Sequence, residues 1–315
     1  MEKKRILVTG ALGHIGSKLI REYAKREDID LIRILDNLST QRYCSLFNLP
    51  IKSGLDYEFI ENSINNKRIL EKVVNGMDVI IHLAAITDAP LTINNREETF
   101  KVNLEGTANV LEVSMKNNIK KFLFPSTTSV YGGAIGLIDE SYKDYKPESP
   151  YAESKLTAEK IVLDASNKGL NTNVLRMGTI FGTSVGMRFH TAINKFCYLA
   201  AIGKPLTVWD SALNSKRPYL GLGDCINVLE FLEKNGKSGE IYNVLTDNFS
   251  INNITDSIKK FRGVKIEITE SPLLNQSPYE VSNDKIKKLG FGFKDNLEES
   301  IKETIELFEG IKNQV

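Results

Sequence analysis

A series of short apolar runs in the first half of this sequence restricts its fold more than any other feature. The run Val79–Leu83 is typical, since only one of its residues is polar. A strand with one face in water alternates apolar and polar residues, so an uninterrupted run indicates a strand buried on both faces, as in a parallel sheet. Such strands are predicted at Arg5–Val8, Leu31–Leu35, Tyr57–Ile60, Val79–Leu83, Lys121–Phe124 and Asn173–Leu175.

Segments with helical periodicity separate these runs. Parallel strands need a crossover connection, which is usually a helix. The repeated strand-helix order therefore predicts an α/β fold of the Rossmann type, with a doubly wound parallel sheet. The predicted helices are Ile15–Lys25, Lys67–Val74, Glu97–Lys116 and Ala152–Ser166.

The pattern loosens after about residue 180, which predicts a smaller C-terminal lobe in this chain of 315 residues. We expect residues 1–180 and about 217–245 to form the core domain, and residues 181–216 and 246–315 to form the lobe. Helices are predicted at Thr191–Ala201, Asp224–Lys234, Ile251–Phe261 and Leu297–Phe308, and extended segments at Leu206–Trp209, Arg217–Leu222, Ile241–Val244 and Val264–Ile268.

The charge and cysteine content argue against several classes of function. With 41 basic and 40 acidic residues the net charge is +1, so no global attraction to nucleic acid or membranes is expected. Cys44, Cys197 and Cys225 are far apart, as are the three histidines, so no metal site is expected. No apolar run approaches the roughly 20 residues that span a bilayer, and the N-terminus lacks a signal-peptide core. We therefore expect a cytoplasmic protein.

A glycine-rich turn, Thr9-Gly10-Ala11-Leu12-Gly13-His14-Ile15-Gly16, joins the first predicted strand to the first helix. Gly10 permits the tight turn, Gly13 lets the backbone approach a pyrophosphate, and Gly16 lets the helix pack against the sheet. The N-terminus of that helix then faces the anion. This position at the start of a β-α-β unit predicts a dinucleotide-binding site.

Asp36 ends the second predicted strand, 26 residues after Gly10. A carboxylate there can accept hydrogen bonds from both adenosine ribose hydroxyls and repels a 2′-phosphate, which favours NAD over NADP. The alternative is a solvated turn, because Asp-Asn-Leu-Ser is also a good turn sequence. Arg42 is close enough in sequence to leave NADP open.

Tyr151 and Lys155 are the candidate catalytic pair, since residues at i and i+4 share one face of a helix. A nearby ammonium lowers the pKa of a phenol and prepares it to act as a general base. Tyr142 and Lys146 repeat the same spacing, but two prolines follow them, so this copy cannot lie inside a helix. Tyr151 instead follows a proline, at a natural helix start.

A row of hydroxyl side chains, in Ser126–Gly132, follows the strand Lys121–Phe124. Ligands bind beyond the carboxyl ends of strands in open α/β sheets. These hydroxyls can therefore hydrogen-bond a substrate oxygen that exchanges a proton with Tyr151, although each of them can equally belong to a polar loop.

The order and spacing of six motifs from residue 5 to about 235 resemble the NAD-dependent epimerase/dehydratase family of extended short-chain dehydrogenases/reductases. UDP-glucose 4-epimerase is a familiar member of this family. The motifs that carry the resemblance are Thr9–Gly16, Asp36–Ser39, His82–Ala85, Asn103 within Val-Asn-Leu-Glu-Gly-Thr, Ser126–Gly132 and Tyr151–Lys155.

The resemblance implies NAD as cofactor, a nucleotide-diphosphate sugar as substrate, and a homodimer that pairs the helices at Glu97–Lys116 and Ala152–Ser166. It implies a catalytic set of Thr127, Tyr151 and Lys155, in which Lys155 binds the nicotinamide ribose. Cofactor contacts are implied for Gly10, Gly13, His14, Ile15, Gly16, Asp36, Asn37, Ser63, Ile64, Leu83, Ala84, Ala85, Asn103, Tyr151 and Lys155. Substrate contacts are implied for Thr87, Thr127, Thr128, Thr179 and Arg217, the last of these to the diphosphate.

The chain also departs from the family pattern. Thr128 and Ser129 stand where 4,6-dehydratases have Asp-Glu, so water elimination is not expected. Met177-Gly178-Thr179 replaces the Phe-Asn pair usual in 4-epimerases, and Ser63 replaces an Asp beside the adenine. A second phosphate-binding arginine, expected near Ser277, is missing.

These features predict an epimerase that oxidises the sugar transiently at C4, through a 4-keto intermediate. The alternative is a nucleotide-sugar 4-dehydrogenase that releases the keto-sugar, because both share the first half-reaction. A 4,6-dehydratase or a non-catalytic NAD-binding protein is less favoured, the latter because it would need no phenolic base.

We expect NAD to bind much more tightly than NADP, because Asp36 accepts hydrogen bonds from the ribose and repels the extra phosphate. Calorimetric titration of cofactor-free protein with each nucleotide measures the difference. Equal affinities would mean that Asp36 points elsewhere or that Arg42 compensates.

Overall fold

The computed structural model describes residues 3–270 and 279–311. Its strands are β1 (Lys4–Thr9), β2 (Ile29–Asp36), β3 (Asp56–Glu61), β4 (Val79–His82), β5 (Lys121–Thr127), β6 (Gly136–Ile138), β7 (Thr172–Met177), β8 (Thr179–Phe181), β9 (Leu206–Trp209), β10 (Arg217–Gly221), β11 (Glu240–Val244), β12 (Asp247–Phe249), β13 (Ile266–Thr269) and β14 (Tyr279–Val281). Its helices are α1 (His14–Tyr23), α2 (Lys67–Val74), α3 (Ala89–Thr92), α4 (Arg96–Phe100), α5 (Thr107–Lys116), α6 (Pro150–Asn167), α7 (Ala192–Ala201), α8 (Leu222–Asn235), α9 (Ile251–Lys259), α10 (Asp284–Lys288) and α11 (Leu297–Glu306).

Seven parallel strands form the central sheet, in the order β11-β7-β5-β4-β1-β2-β3. The strand order reverses at β1, which pairs with β2 on one side and with β4 on the other. Ligands of doubly wound sheets bind at such a switch point, beyond the carboxyl ends of the strands. The predicted Rossmann-type fold is confirmed, and all six predicted strands of the first half lie in this sheet.

Apolar side chains cover both faces of the sheet and explain the uninterrupted runs, except in the edge strand β3, where no residue is buried and Phe59 is 39% exposed. In β1, Ile6 and Val8 belong to the core on one face, and Leu7 belongs to the core on the other. All three are at most 1% exposed. Burial of each such side chain contributes about 1.5–3 kcal/mol, so a polar substitution on either face would destabilise the sheet.

The predicted helix Glu97–Lys116 is interrupted by a π-helical turn, Lys101–Gly106, between α4 and α5. Such wide turns leave the usual hydrogen-bond ladder and are frequent at functional sites. Asn103 lies within the turn and is buried. Apolar periodicity does not reveal an insertion of this kind, and the sequence prediction missed it.

The smaller lobe has its own apolar core, to which α7, α9 and α11 contribute. Its small sheets are β12-β10-β8, β13-β9 and β14-β6. The sequence prediction missed β6, β8, β12 and β14, because three residues are too few to show periodicity. Since the sheet β12-β10-β8 draws on both predicted domains, the predicted domain boundaries stay a prediction.

The helices expected to form a dimer interface lie side by side. Arg96 of α4 donates two hydrogen bonds to the carboxylate of Glu153 in α6, each 2.7 Å long. The homodimer itself stays a prediction. Among the helices of residues 3–270 and 279–311, none is both long and apolar enough to cross a bilayer.

We expect Gly16→Ala to destabilise the fold by about 1–3 kcal/mol through overpacking. A Cβ at Gly16 would lie 2.5 Å from the carbonyl oxygen of Ala11, so α1 could not keep its position. Gly263→Ala is the matched control, because its Cβ would meet no atom within 4 Å, and its effect should stay within about 0.5 kcal/mol. Urea denaturation measures both. Equal stability of the two variants would contradict the close packing of α1.

Candidate active site

The glycine turn packs directly against the loop that follows β4. Gly10 has a φ of +66°, and a Cβ there would lie 2.6 Å from the backbone nitrogen of Ala84. The backbone nitrogen of Leu83 donates to the carbonyl of Thr9 over 3.0 Å, and that of Ala84 donates to the Thr9 hydroxyl over 3.3 Å. The ends of β1 and β4 are thus held together, and Leu83–Ala85 lie beside the turn as the resemblance implies.

The N-terminus of α1 opens from this turn without a side-chain cap. The preceding residue, Gly13, has no side chain to accept a hydrogen bond from the first backbone amides. Uncapped amides and the helix dipole together attract an anion. The turn therefore fits the diphosphate of NAD. Ile15 and Gly16 follow in the first turn of the helix.

Asp36 lies at the carboxyl end of β2, beside the glycine turn. Its carboxylate accepts hydrogen bonds from the backbone nitrogen of Leu12 over 3.0 Å and from that of Leu38 over 2.9 Å. These bonds hold the side chain next to the turn, where contact with the ribose is predicted. Asn37 is exposed and accepts a hydrogen bond from the backbone of Ser39.

The loop after β3 has one buried and one half-buried member of the predicted adenine site. The Ile64 side chain is buried, 5% exposed, and packs against Gly106. The Ser63 hydroxyl accepts a hydrogen bond from the backbone nitrogen of Asn65 over 3.2 Å. Ser63 therefore stabilises its own loop, and its contact with the adenine stays a prediction.

Asn103 holds the loop after β4 against α6. Its Oδ1 accepts from the backbone nitrogen of Ile86 over 2.8 Å, and its Nδ2 donates to the Ile86 carbonyl and to the Ser154 hydroxyl. Because these bonds occupy the side-chain amide, Asn103 is placed to support the loop after β4.

The predicted catalytic side chains meet at the start of α6 and the end of β5. Ser149 caps α6 by accepting a hydrogen bond from Ala152, and Pro150 takes its first position. The Thr127 side chain lies close enough to the Tyr151 phenol to lower its pKa. The rejected pair Tyr142 and Lys146 lies outside any helix, as predicted.

Burial shifts the pKa of both candidate catalytic residues of α6. Burial raises the pKa of Tyr151, whereas the positive charge of Arg188 and the nearby Thr127 side chain oppose this rise. Burial lowers the pKa of Lys155 to about 7, partly opposed by Glu159. The Lys155 ammonium lies 3.9 Å from the centre of the Phe124 ring, and it makes no hydrogen bond to the described residues. A hydroxyl of the nicotinamide ribose would be a suitable hydrogen-bond acceptor for this ammonium.

A buried ion pair between Glu159 and Arg176 is hydrogen-bonded to the end of β5. Glu159 accepts a hydrogen bond from Ser126 over 2.5 Å and one from Arg176 over 2.6 Å. Arg176 also donates to the Tyr131 hydroxyl over 3.1 Å. Ser126 is thereby committed to the core, whereas Thr127 donates a hydrogen bond to the Ser129 hydroxyl over 3.1 Å.

The predicted substrate residues occupy two groups. Thr128 and Ser129 lie close enough to the Tyr279 hydroxyl to lower its pKa, and the Arg217 guanidinium lies 5.4 Å from the centre of the Tyr279 ring. Thr179 is exposed in β8 and pairs with β10, the strand that contains Arg217. The second group is Thr87 after β4. Ser277 lies outside the described residues.

Sequence reasoning missed Arg188, a basic side chain beside Thr87. Arg188 donates a hydrogen bond to the Thr87 hydroxyl over 2.5 Å. Like Arg188, Arg42 lowers the pKa of His14 and that of His190. His190 also lowers the pKa of His14. An isolated arginine in a loop carries no motif, so no sequence signal identified it. Among residues 3–270 and 279–311, no cluster of three metal-ligating side chains occurs.

The buried Lys155 predicts a pH dependence of stability. Its pKa is about 7 in the folded chain and about 10.5 when unfolded, so between these values the unfolded state binds more protons and stability rises with pH. We expect the unfolding free energy of the wild type, minus that of Lys155→Met, to rise across this range by up to about 1 kcal/mol per pH unit. Urea denaturation at several pH values measures it. A difference independent of pH would contradict the burial of the ammonium.

Comparison with known sequences places the chain in a family. The model of the NAD dependent epimerase/dehydratase family matches residues 6–244. The trifunctional UDP-glucose 4,6-dehydratase/UDP-4-keto-6-deoxy-D-glucose 3,5-epimerase/UDP-4-keto-L-rhamnose-reductase of Arabidopsis thaliana is 30% identical, over 97% of this chain and 47% of the plant protein. The chain thus spans about half the length of that relative. The dTDP-D-glucose 4,6-dehydratase of Mus musculus is 28% identical, over 97% of this chain and 88% of the mouse protein.

Solved structures have the same fold. The UDP-glucose 4-epimerase of Thermotoga maritima with UDP-glucose superposes with a TM-score of 0.84 and 23% identity, over 96% of this chain and 98% of that chain. The UDP-glucose 4-epimerase of Thermus thermophilus, solved with NAD, has a TM-score of 0.82 and 22% identity, over 97% of this chain and 99% of that chain. With the family match over most of its length and the glycine turn at the switch point, this chain belongs to the NAD-dependent epimerase/dehydratase family, and NAD is its cofactor.

Proposed function

We propose that this protein is a nucleotide-sugar epimerase that acts through transient oxidation at C4 of the sugar. The observation that carries the proposal is the contact between Tyr151 and Thr127 at the end of β5, with Lys155 one helical turn further along α6. These side chains lie at the carboxyl edge of the sheet, where ligands of this fold bind. A phenol, a hydroxyl and an ammonium in this arrangement serve to move a proton.

In this proposal Tyr151 removes a proton from the sugar hydroxyl, and Thr127 hydrogen-bonds the same oxygen. NAD, which the glycine turn, Asp36 and Lys155 would hold, would supply the hydride acceptor when bound. Lys155 holds the nicotinamide ribose, and its positive charge favours the phenolate form of Tyr151. Because burial raises the pKa of Tyr151 in the unliganded protein, the nearby positive charges decide whether the phenol can act near neutral pH.

Dehydration is a less suitable reaction for this site, although the curated relatives include 4,6-dehydratases. Water elimination needs an acid that protonates the leaving hydroxyl. Thr128 and Ser129 occupy the place of that acid and are poor acids. Both also lie close enough to the Tyr279 hydroxyl to lower its pKa.

A 4-dehydrogenase that releases the keto-sugar is the second candidate. Epimerisation requires the keto-sugar to rotate in the site and be reduced on its other face. A Cβ at Gly178 would lie 2.9 Å from the Pro218 carbonyl oxygen, so this segment is held tightly beside β10. Met177 is buried and contacts Cys225. Such a rigid segment next to the predicted substrate contact Thr179 would restrict rotation of the keto-sugar. It therefore favours release of the keto-sugar.

The proposed substrate is a nucleotide-diphosphate sugar. Arg217, beside Tyr279, is the residue that we propose for its diphosphate, because a guanidinium binds phosphate oxygens in a bidentate manner. The solved relatives with UDP-glucose and with UDP-glucuronic acid support this class of substrate. We further propose that the enzyme is a homodimer formed through α4, α5 and α6.

Rapid mixing of the NAD-loaded protein with a panel of nucleotide sugars tests the proposal. We expect the near-ultraviolet absorbance of reduced nicotinamide to rise and then decay, because an epimerase returns its hydride. Tyr151→Phe should slow the rise on the order of 10²–10⁴-fold, since it removes the general base, while cofactor binding is retained.

The outcomes separate the candidates. A lasting absorbance signal would identify a dehydrogenase, and a product lighter by one water would identify a dehydratase. No signal with any nucleotide sugar would refute the substrate class. Tyr151→Phe with a rate within a few-fold of the wild type would exclude Tyr151 as the base.

A further inference from the structure

The loop between β8 and α7 rests on the glycine turn. The Ser184 hydroxyl donates to the His14 carbonyl over 2.9 Å, and the Gly186 nitrogen donates to the Ser17 hydroxyl over 3.0 Å. A Cβ at Gly186 would lie 2.5 Å from the Leu12 carbonyl oxygen. The backbone of this loop is therefore fixed next to the N-terminus of α1, and it carries Arg188 to the cleft.

The charge of the Arg188 guanidinium acts on His14 of this turn and on Tyr151. Its Nη1 donates to the Thr87 hydroxyl over 2.5 Å. Its Nε is buried and has no hydrogen-bond partner. Within the described part of the chain, no carboxylate is within ion-pair distance of Arg188, and Asp88 attracts it only from further away.

The surroundings of Arg188 do not neutralise it. Burial lowers the pKa of both His14 and His190 to about 4, so these rings are neutral at pH 7. Arg42 adds a second positive charge. A buried charge is costly unless it is paired and hydrogen-bonded, and here the protein supplies one hydroxyl group. The missing partner of Arg188 is therefore an anion brought by a ligand.

We propose that Arg188 binds a diphosphate oxygen of a ligand that lies between the N-terminus of α1 and Tyr151. A guanidinium donates two parallel hydrogen bonds to such a group. The position beside the glycine turn favours the diphosphate of the cofactor, because Arg217, at the predicted substrate diphosphate, belongs to β10. This inference rests on the proposed function, since the nucleotide sugar is the second possible source of a diphosphate.

Equilibrium binding to Arg188→Gln tests the inference without any turnover. We expect calorimetry to show that Arg188→Gln binds NAD about 10- to 100-fold more weakly, the effect of losing a hydrogen bond to a charged group. Arg188→Lys should show a smaller loss, because it keeps the charge without the bidentate geometry. Arg68→Gln, at an exposed position of α2, is the matched control and should bind NAD as the wild type does.

Parallel titrations with UDP and with adenosine identify the anion. Adenosine has no phosphate, so Arg188→Gln should not change its affinity. A loss for NAD alone assigns Arg188 to the cofactor, and a loss for UDP alone assigns it to the substrate diphosphate. Unchanged affinities for both NAD and UDP would overturn the inference.

Thermal unfolding without ligand excludes a folding defect. Arg188→Gln should be at least as stable as the wild type, because it removes a buried charge that has no counter-ion. A lower melting temperature of Arg188→Gln would show that the fold already compensates this charge, and it would overturn the inference. These measurements stay valid if no nucleotide sugar is turned over, so a failure of the proposed reaction is recognised separately.

Discussion

The close approach of the Gly10 backbone to the loop after β4 is the contact on which the rest of this site depends. Parallel strands β1 and β4 are neighbours in the sheet, and a side chain at Gly10 would strike the backbone of Ala84. Because Gly10 has no side chain, the first amides of α1 and the loop after β4 lie together at one edge of the sheet. Asn103 and Ser154 then connect that edge to α6, so the cofactor turn and the catalytic helix share one rigid frame.

Arg176, which is buried, and Arg188, which is half-buried, differ in how their charges are compensated. Arg176 has its counter-ion, Glu159, and two tyrosine hydroxyls as further partners. Arg188 has the hydroxyl of Thr87 and the distant charge of Asp88. A compensated charge stabilises the end of β5, whereas an uncompensated one is costly. We therefore propose that the positive charge of Arg188 is balanced by a ligand that supplies the anion.

The choice among the reactions of this family depends on few atoms. Epimerases, dehydrogenases and dehydratases of nucleotide sugars share a proton transfer, for which Tyr151 and Thr127 are the proposed residues. They differ in what surrounds the keto-sugar afterwards. Here the residues that would supply an acid are hydroxyls close to Tyr279, and the segment at Gly178 is tightly packed. The relatives therefore share the fold and the cofactor, whereas the residues around the keto-sugar decide the outcome of the reaction.

The sequence by itself determined the central sheet, the glycine turn, the helix that starts at Pro150 and the family. Runs buried on both faces, a turn that only glycine permits and a proline at a helix start are local effects, which neighbouring residues reveal. Only the tertiary structure decided the three-residue strands, the π-helical turn at Asn103 and the placement of Arg188 beside Tyr151. These features depend on contacts between residues far apart in the chain. When two side chains that are far apart in the chain come into contact only in the folded protein, the sequence shows no periodicity or spacing that predicts the contact.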